Sequence, residues 1–354
     1  MSIPRGPRDV TPAWLGSAVG ADVAAVEVTP IGTGQTGATY RVRARYRGAT
    51  ELPETFAVKL SAQDDAVRER VALGYRSEVE YYARVADRMS IPVPSCFYSE
   101  ISDDGADFVL VLADMAPAVQ GDQIAGCSAA EAALAVEALA GLHGPSWCDP
   151  QWMALSGIVM PKPGDDAAAA GLGEISQMAA NILIDKLGDD ISAEDRETLI
   201  TAMGLVTPWL MAEPGRYALM HGDYRLDNML FDPDHTRVTV VDWQTVGIGL
   251  PGRDLAYFTA TSLDPDVRAQ VERDLVSRYH RALLGYGVTD YDFETCWRDY
   301  RLGVVQAPLL TGLGFAFAAS TERGDEMMLT MLRRGCRAIR ELDTLDLIKS
   351  YQAI

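Results

Sequence analysis

The residues with the clearest chemical promise lie in one octapeptide and one tetrapeptide. Residues 221–228 read His-Gly-Asp-Tyr-Arg-Leu-Asp-Asn, and after a short β-branched run the chain reads Val240-Val241-Asp242-Trp243. Phosphoryl transfer asks little covalent chemistry of a protein; it needs a positioned acceptor, a held metal and neutralised phosphate charge. Asp223 is a candidate general base for an acceptor hydroxyl. Asn228 and Asp242 are candidate Mg²⁺ ligands, because a hard cation prefers oxygen donors and takes the remainder from phosphates and water. His221 reads as a structural residue that hydrogen-bonds the loop. Asp254, in Gly252-Arg253-Asp254-Leu255-Ala256-Tyr257 at the start of a predicted helix, is placed to accept backbone N–H groups of the same loop.

Such a site needs elements that bring a nucleotide to it, and the first third of the chain offers them. Ile31-Gly32-Thr33-Gly34-Gln35-Thr36-Gly37 is a glycine-rich turn entering a strand, where Gly32 and Gly34 let backbone N–H groups approach phosphate oxygens. It lacks the lysine and following helix of a P-loop. Lys59 is the polar exception in the apolar strand Phe56-Ala57-Val58-Lys59-Leu60, where burial requires an anionic partner. Glu78 is the favoured carboxylate for it and Glu80 the rival, pointing roughly half a turn away. Val109 to Leu112 reads as a buried strand ending at Ala113-Asp114-Met115, where main-chain groups can meet an adenine edge.

Strands are predicted at Ala38–Tyr46, Glu54–Leu60 and Phe108–Leu112, with one helix from about Asp65 to Arg88 closed by Pro92-Val93-Pro94. After Met115 the pattern turns helical. Ser128 with Glu131 forms a capping box for a helix reaching His143. Further helices are predicted near Ala193–Met211, Asp264–Leu284, Asp292–Ala319 and Asp325–Ile348, and residues 161–173 read as a surface connection. The division is therefore 1–113, a β-rich lobe with one helix, and 114–354, a helical lobe carrying the catalytic loop.

At 354 residues, with 48% hydrophobic and 23% charged residues, the composition is that of a globular protein with a sizeable core. Five scattered cysteines without a Cys-x-x-Cys pair argue for reduced thiols. The net charge of −19 argues against nucleic acid. It is concentrated in the second lobe: residues 1–113 carry 12 basic and 15 acidic side chains (−3), leaving 19 and 35 (−16) for the rest. That acidity favours cationic acceptors at long range, or simply confers solubility. The first ten residues hold no signal-like apolar stretch, and the longest apolar runs fall short of a membrane span, so a cytoplasmic location without membrane partners is expected.

Taken in order, these residues resemble the aminoglycoside phosphotransferase/choline kinase superfamily, and within it the ecdysteroid-kinase-like bacterial phosphotransferases. The likeness runs through the glycine turn, Lys59, Glu78, Asp114-Met115, Gly121-Asp122-Gln123, Leu142-His143, Asp223 to Asn228, Asp242-Trp243-Gln244 and Asp254 to Tyr257. It implies an α+β, protein-kinase-like two-lobed fold with ATP, or GTP, as donor and Mg²⁺ as cofactor. Ala113 stands where relatives commonly have Glu. The expected activity is phosphorylation of a hydroxyl on a small molecule; a nucleotide-binding regulatory or scaffold protein of the same fold is the rival. Aminoglycoside, choline-like amine, sugar and lipophilic alcohol are all open as acceptors, with the lipophilic alcohol favoured. Trp147, Trp152, Trp297 and the aromatics near Phe315 are candidate pocket walls or core.

Overall fold

A computed structural model describes residues 2–32 and 37–352. A short helix α1 (Pro12–Val19) leads into five antiparallel strands: β1 (Val23–Ile31), β2 (Gly37–Tyr46), β3 (Thr55–Ser61), β4 (Cys96–Ile101) and β5 (Phe108–Ala113), ordered β1-β2-β3-β5-β4. Side chains alternate between the two faces of a strand. One face collects Val42, Phe56, Val58, Leu60, Val109 and Val111 beneath Trp14 and Leu15 of α1. The other face carries Lys59, paired in register with Thr39 and Leu110, and so aims it away from that core.

The helical excursion between β3 and β4 lies on the lysine side. It is not the single predicted helix. Helices α2 (Asp65–Arg70) and α3 (Ala72–Glu80) break at Val71, and α3 widens into a π turn over Tyr81–Val85 and a 3₁₀ turn over Ala86–Arg88. Tyr81 and Tyr82 are consecutive and both buried, which the widened turn accommodates. Tyr81 lies flat on Trp243, 3.6 Å between ring centroids, and Tyr75 stacks on Phe108.

From residue 114 onward the protein is mainly helical: α4 (Ala129–Ser146), α5 (Asp166–Leu187), α6 (Ala193–Gly204), α7 (Val206–Met211), α8 (Gly252–Ser262), α9 (Pro265–Gly285), α10 (Phe293–Gly303), α11 (Gln306–Phe317), α12 (Glu322–Glu341) and α13 (Thr344–Gln352). Ser128 and Glu131 cap α4 reciprocally, as expected. Residues 161–173 are not a plain connection. Asp165 caps a helix at Ala168 N, and the alanine run belongs to α5, whose Ala169, Gly173, Ser176, Ala179 and Ala180 form its buried face. By length and composition α5 and its extension to Asp190 could also cross a membrane, a test that core helices pass too. Three other predicted helices divide, at Leu205, at Val304–Val305 and at Leu342–Asp343. At the second break, α10 crosses α8 so closely that a Cβ on Gly303 would lie 2.1 Å from the Gly252 oxygen.

Two small sheets frame the segment from His221 to Asp242. Strands β6 (Val119–Gln120), β8 (Met229–Phe231) and β9 (Val238–Val240) form one, in the order β6-β8-β9. Strands β7 (Ala218–Met220) and β10 (Gly247–Gly249) form the other. His221 therefore follows β7 directly, Asn228 precedes β8, and Asp242 lies just beyond β9. All five cysteines are free thiols.

Candidate active site

The His221–Asn228 loop is shaped by backbone hydrogen bonds to buried side chains. Asp254, fully buried at the start of α8, accepts the amides of His221 (2.6 Å) and Gly222 (3.0 Å). Gly222 has φ +83°, and a Cβ there would fall 2.1 Å from the Thr245 oxygen, so the turn admits glycine alone without distortion. Gln306 of α11 donates to the Gly222 carbonyl from behind, at 3.1 Å. His221 takes the structural part read for it: Nε2 donates to the Val241 carbonyl (3.1 Å) and Nδ1 accepts the Asp223 amide (3.3 Å). This fixes its tautomer and ties the loop to the strand that delivers Asp242. The Val241 amide donates back to the Asn228 carbonyl at 2.9 Å.

Asp223 emerges from this frame with both oxygens engaged. Tyr257 donates its hydroxyl to Oδ1 (2.8 Å), Asn228 Nδ2 donates to Oδ2 (3.0 Å), and Arg225 Nε lies 3.0 and 2.9 Å from the two oxygens. Asn228 Nδ2 also donates to the Asp223 carbonyl at 2.8 Å. With its nitrogen so committed, Asn228 has its amide oxygen left for a cation. Asp242 offers a second: Oδ1 accepts from Lys59 at 2.8 Å, while its side chain remains 37% exposed. One amide oxygen and one carboxylate suit Mg²⁺, which retains water and substrate phosphates in its shell. Among the described residues no cluster of three or more His, Cys, Asp or Glu suits a metal held by protein alone.

Lys59 joins the two halves of the site. Its ammonium lies 2.9 and 2.7 Å from the two Glu78 oxygens and 2.8 Å from Asp242. Burial by itself lowers a lysine pKa, but Asp242 and then Glu78 overcome it and hold this ammonium above the ordinary value. Glu78, almost fully buried, goes the other way: desolvation raises its pKa against the pull of Lys59. Asp242 is also penalised by burial, yet Lys59 brings it below the usual carboxylate value. Glu78 further accepts the Trp243 amide and the Gln244 side chain, each at 3.3 Å. The rival Glu80 points elsewhere, accepting from Ser156 (amide and hydroxyl, both 3.1 Å), from the Gly157 amide (2.7 Å) and from Arg84.

Of the predicted nucleotide contacts, Gly32 follows β1 with φ +75°, and Gly34 lies outside the described residues. The far end of the same turn is close to the charges: a Cβ on Gly37 would stand 3.6 Å from Lys59 Cε and 3.9 Å from Gln244 Nε2. Asp114 and Met115 follow β5 at the junction of sheet and helices. The Asp114 carboxylate is taken by Arg41 of β2 at 2.7 and 3.1 Å and also accepts the Ala116 amide. Trp152 is buried, Trp147 packs on Tyr291 and Trp297 stacks on Tyr300.

Four side chains of the site carried no assigned role in the sequence. Arg225 stands inside the octapeptide and Tyr257 inside the Gly252–Tyr257 segment, whereas Gln306 and Arg323 come from distant helices. Arg323, at the start of α12, grips Asp227 with both terminal nitrogens (3.0 and 3.1 Å), and Arg225 Nη1 shares that carboxylate at 3.0 Å. A small apolar cluster adjoins: Tyr257, Ala307, Met327 and Met331, with Ile124, Leu310 and Met328 at its edge.

Comparison with known proteins bears on family and fold. The model of a family described as the phosphotransferase enzyme family matches residues 27–293. Acyl-CoA dehydrogenase family member 11 of Homo sapiens is 43% identical over 65 residues, 17% of this chain and 8% of that protein. Family member 10 of Mus musculus is 40% identical over 184 residues, 44% of this chain and 17% of that protein. The matches thus span less than a fifth of either relative's length. Among solved structures, a putative aminoglycoside phosphotransferase from Ralstonia eutropha JMP134 has a TM-score of 0.56 at 18% identity, covering 93% of this chain and 97% of that one. A choline kinase from Cryptosporidium parvum Iowa II also scores 0.56, at 10% identity and with 92% of each chain covered. The GDP complex of aminoglycoside 2'-phosphotransferase-IIIa scores 0.51 at 16% identity, covering 88% of this chain and 93% of that one. At such identities these likenesses establish the kinase-like fold.

Proposed function

The chain belongs to the phosphotransferase enzyme family, and from that premise we propose that it transfers the terminal phosphoryl group of ATP or GTP to a hydroxyl of a small molecule. The observation that carries this reading is the convergence of Lys59, Glu78 and Asp242 on one side of the loop with Asp223 and Asn228 on the other. Lys59 neutralises the donor phosphates while Glu78 fixes its direction. Gly32, Gly34 and the main chain at Asp114-Met115 shape the rest of the nucleotide site. Asn228 and Asp242 would hold Mg²⁺, which supplies charge neutralisation at the phosphates when bound. Asp223 orients the acceptor hydroxyl and takes its proton. The P–O bond to the nucleotide diphosphate breaks, and a P–O bond to the acceptor oxygen forms.

The surroundings of Asp223 favour an apolar, non-cationic acceptor over an aminoglycoside or choline-like amine. Asp227 is already paired with two arginines, and the adjoining wall is Met327, Met328, Leu310 and Ile124. A cationic acceptor would meet Arg225 and Arg323 there before any unpaired carboxylate. The test is nucleotide-dependent ADP or GDP release with Mg²⁺ over a panel of hydroxylated lipophilic acids and alcohols, sugars, aminoglycosides and amino alcohols. Turnover with the lipophilic group is expected. Nucleotide binding without release for any acceptor would favour a non-catalytic binding protein, and release confined to amines would overturn the acceptor assignment.

A further inference from the structure

Three donors engage the Asp223 oxygens: the single Nε–H of Arg225, shared between both, and one each from Tyr257 and Asn228. An acceptor hydroxyl approaching Asp223 competes with them, and the three differ in how firmly they are held. Tyr257 is 2% exposed and packed in the methionine cluster. Asn228 is 5% exposed, with its nitrogen anchored to the Asp223 carbonyl as well. Arg225 is a long side chain whose second carboxylate, Asp227, does not depend on it: Arg323 holds Asp227 by two nitrogens, and the Gln123 amide adds a third bond at 3.0 Å. Asp227 therefore stays compensated if Arg225 withdraws. The remaining partner of Arg225 is the Met327 sulfur, 3.0 Å from Nη1, a weak acceptor.

We propose that Arg225 is a further catalytic residue: it guards Asp223 before the substrates bind, then turns from that carboxylate to the transferring phosphoryl group. The inference rests on the phosphotransfer reading above. A hydroxyl bonded to Asp223 lies about 3–3.5 Å from the phosphorus it attacks in a near-attack geometry, so a guanidinium displaced from Asp223 is already beside the equatorial phosphoryl oxygens. Those oxygens carry the charge of the transition state, and a planar guanidinium binds them through paired N–H groups. In the balanced step, the acceptor hydroxyl gives its proton to the Asp223 oxygen that Arg225 vacates. The phosphoryl group meanwhile exchanges its bond to the departing diphosphate for one to the acceptor oxygen.

The test needs no acceptor. Calorimetry compares the affinity for Mg²⁺ with ADP (or GDP, whichever the wild type binds better) and for the same mixture with aluminium fluoride, a planar mimic of the transferring group. Wild type should gain affinity with the fluoride. Arg225→Gln should keep diphosphate affinity within about twofold and lose about 10- to 100-fold of that gain, the scale of a charge-assisted hydrogen bond; Arg225→Lys should recover part of it. A full gain in Arg225→Gln, or a parallel loss of diphosphate affinity, overturns the proposal. Should Arg225→Gln fail to fold, Arg323→Gln at a half-exposed position serves instead. It leaves Asp227 to bind Arg225 more tightly, so several-fold loss of the gain supports the proposal and an unchanged gain overturns it. Failure of the wild type to bind either diphosphate would overturn the phosphotransfer reading itself.

Discussion

The two ends of the site are held by different physics. At the proposed acceptor end, Asp223 sits in a loop fixed from nearby and behind: Asp254 on two amides, Gln306 on a carbonyl, His221 on the neighbouring strand. At the proposed nucleotide end, Lys59 joins residues 19 and 183 positions away through side-chain charge. The backbone of the first end is preformed by these bonds, and the side chain of Arg225 is the part of it left to rearrange. The second is a charge balance between distant elements. Lys59 is already engaged by Glu78 and Asp242, so on the proposed reading nucleotide and cation would re-partition those contacts. On that reading a fixed loop backbone aligns the acceptor, and exchangeable charge meets the donor.

The largest expected effect breaks the acceptor end alone. Asp223→Asn should lower turnover by about 10²–10⁴-fold with nucleotide affinity retained, as read from diphosphate release and a binding titration. Near-normal turnover would remove Asp223 from its assigned part. Breaking the other end should spread further. Lys59→Met leaves Glu78 buried without its cation and should cost about 3–5 kcal/mol of stability, together with nucleotide affinity; denaturant unfolding with and without nucleotide would measure both. If only affinity fell, the ion pair would have no part in joining the lobes. Gly222→Ala tests whether the loop is as rigid as argued. Its left-handed backbone and the Thr245 carbonyl predict a loss of about 1–3 kcal/mol and a larger fall in kcat than in nucleotide affinity. The smallest change is expected from Arg41→Ala. The Arg41 side chain is 39% exposed and bonded to Asp114, so about 0–1 kcal/mol is predicted. A large change in nucleotide affinity there would show that the pair shapes the base pocket directly.

What the sequence revealed follows the same division. The local end was legible because its parts are contiguous: Asp223 and Asn228 share an octapeptide, and Asp254 announces itself at a helix start. Lys59 was legible as a polar exception in an apolar strand. The choice between Glu78 and Glu80 was not, because it depends on how α3 lies across the sheet. Arg323 and Gln306 were invisible, since nothing in residues 300–325 signals contact with a loop a hundred positions earlier. Arg225 was hidden differently: spacing directed attention to the first and last residues of the motif and past the guanidinium between them. The helix breaks at Leu205 and Val304–Val305 each follow a glycine, Gly204 and Gly303, but a lone glycine within a helical pattern is often tolerated and did not announce a break. The alanine run of α5 was obscured by Pro161, Pro163 and Gly164 just before it.

The placement of α3 has a mechanical consequence. Its Ser77 hydroxyl donates to the Trp243 carbonyl and accepts the Val246 amide, and Gly157 packs so tightly that a Cβ would reach 2.7 Å from Ser77 Cα. Glu80 clasps the same 156–157 segment, while Tyr81 lies against Trp243. Although α3 falls among the first 113 residues, it is bolted to the chassis formed by the later ones. Lys59 reaches Glu78 from the neighbouring strand, so this one ion pair fastens the five-stranded sheet to a helix that the rest of the molecule already holds.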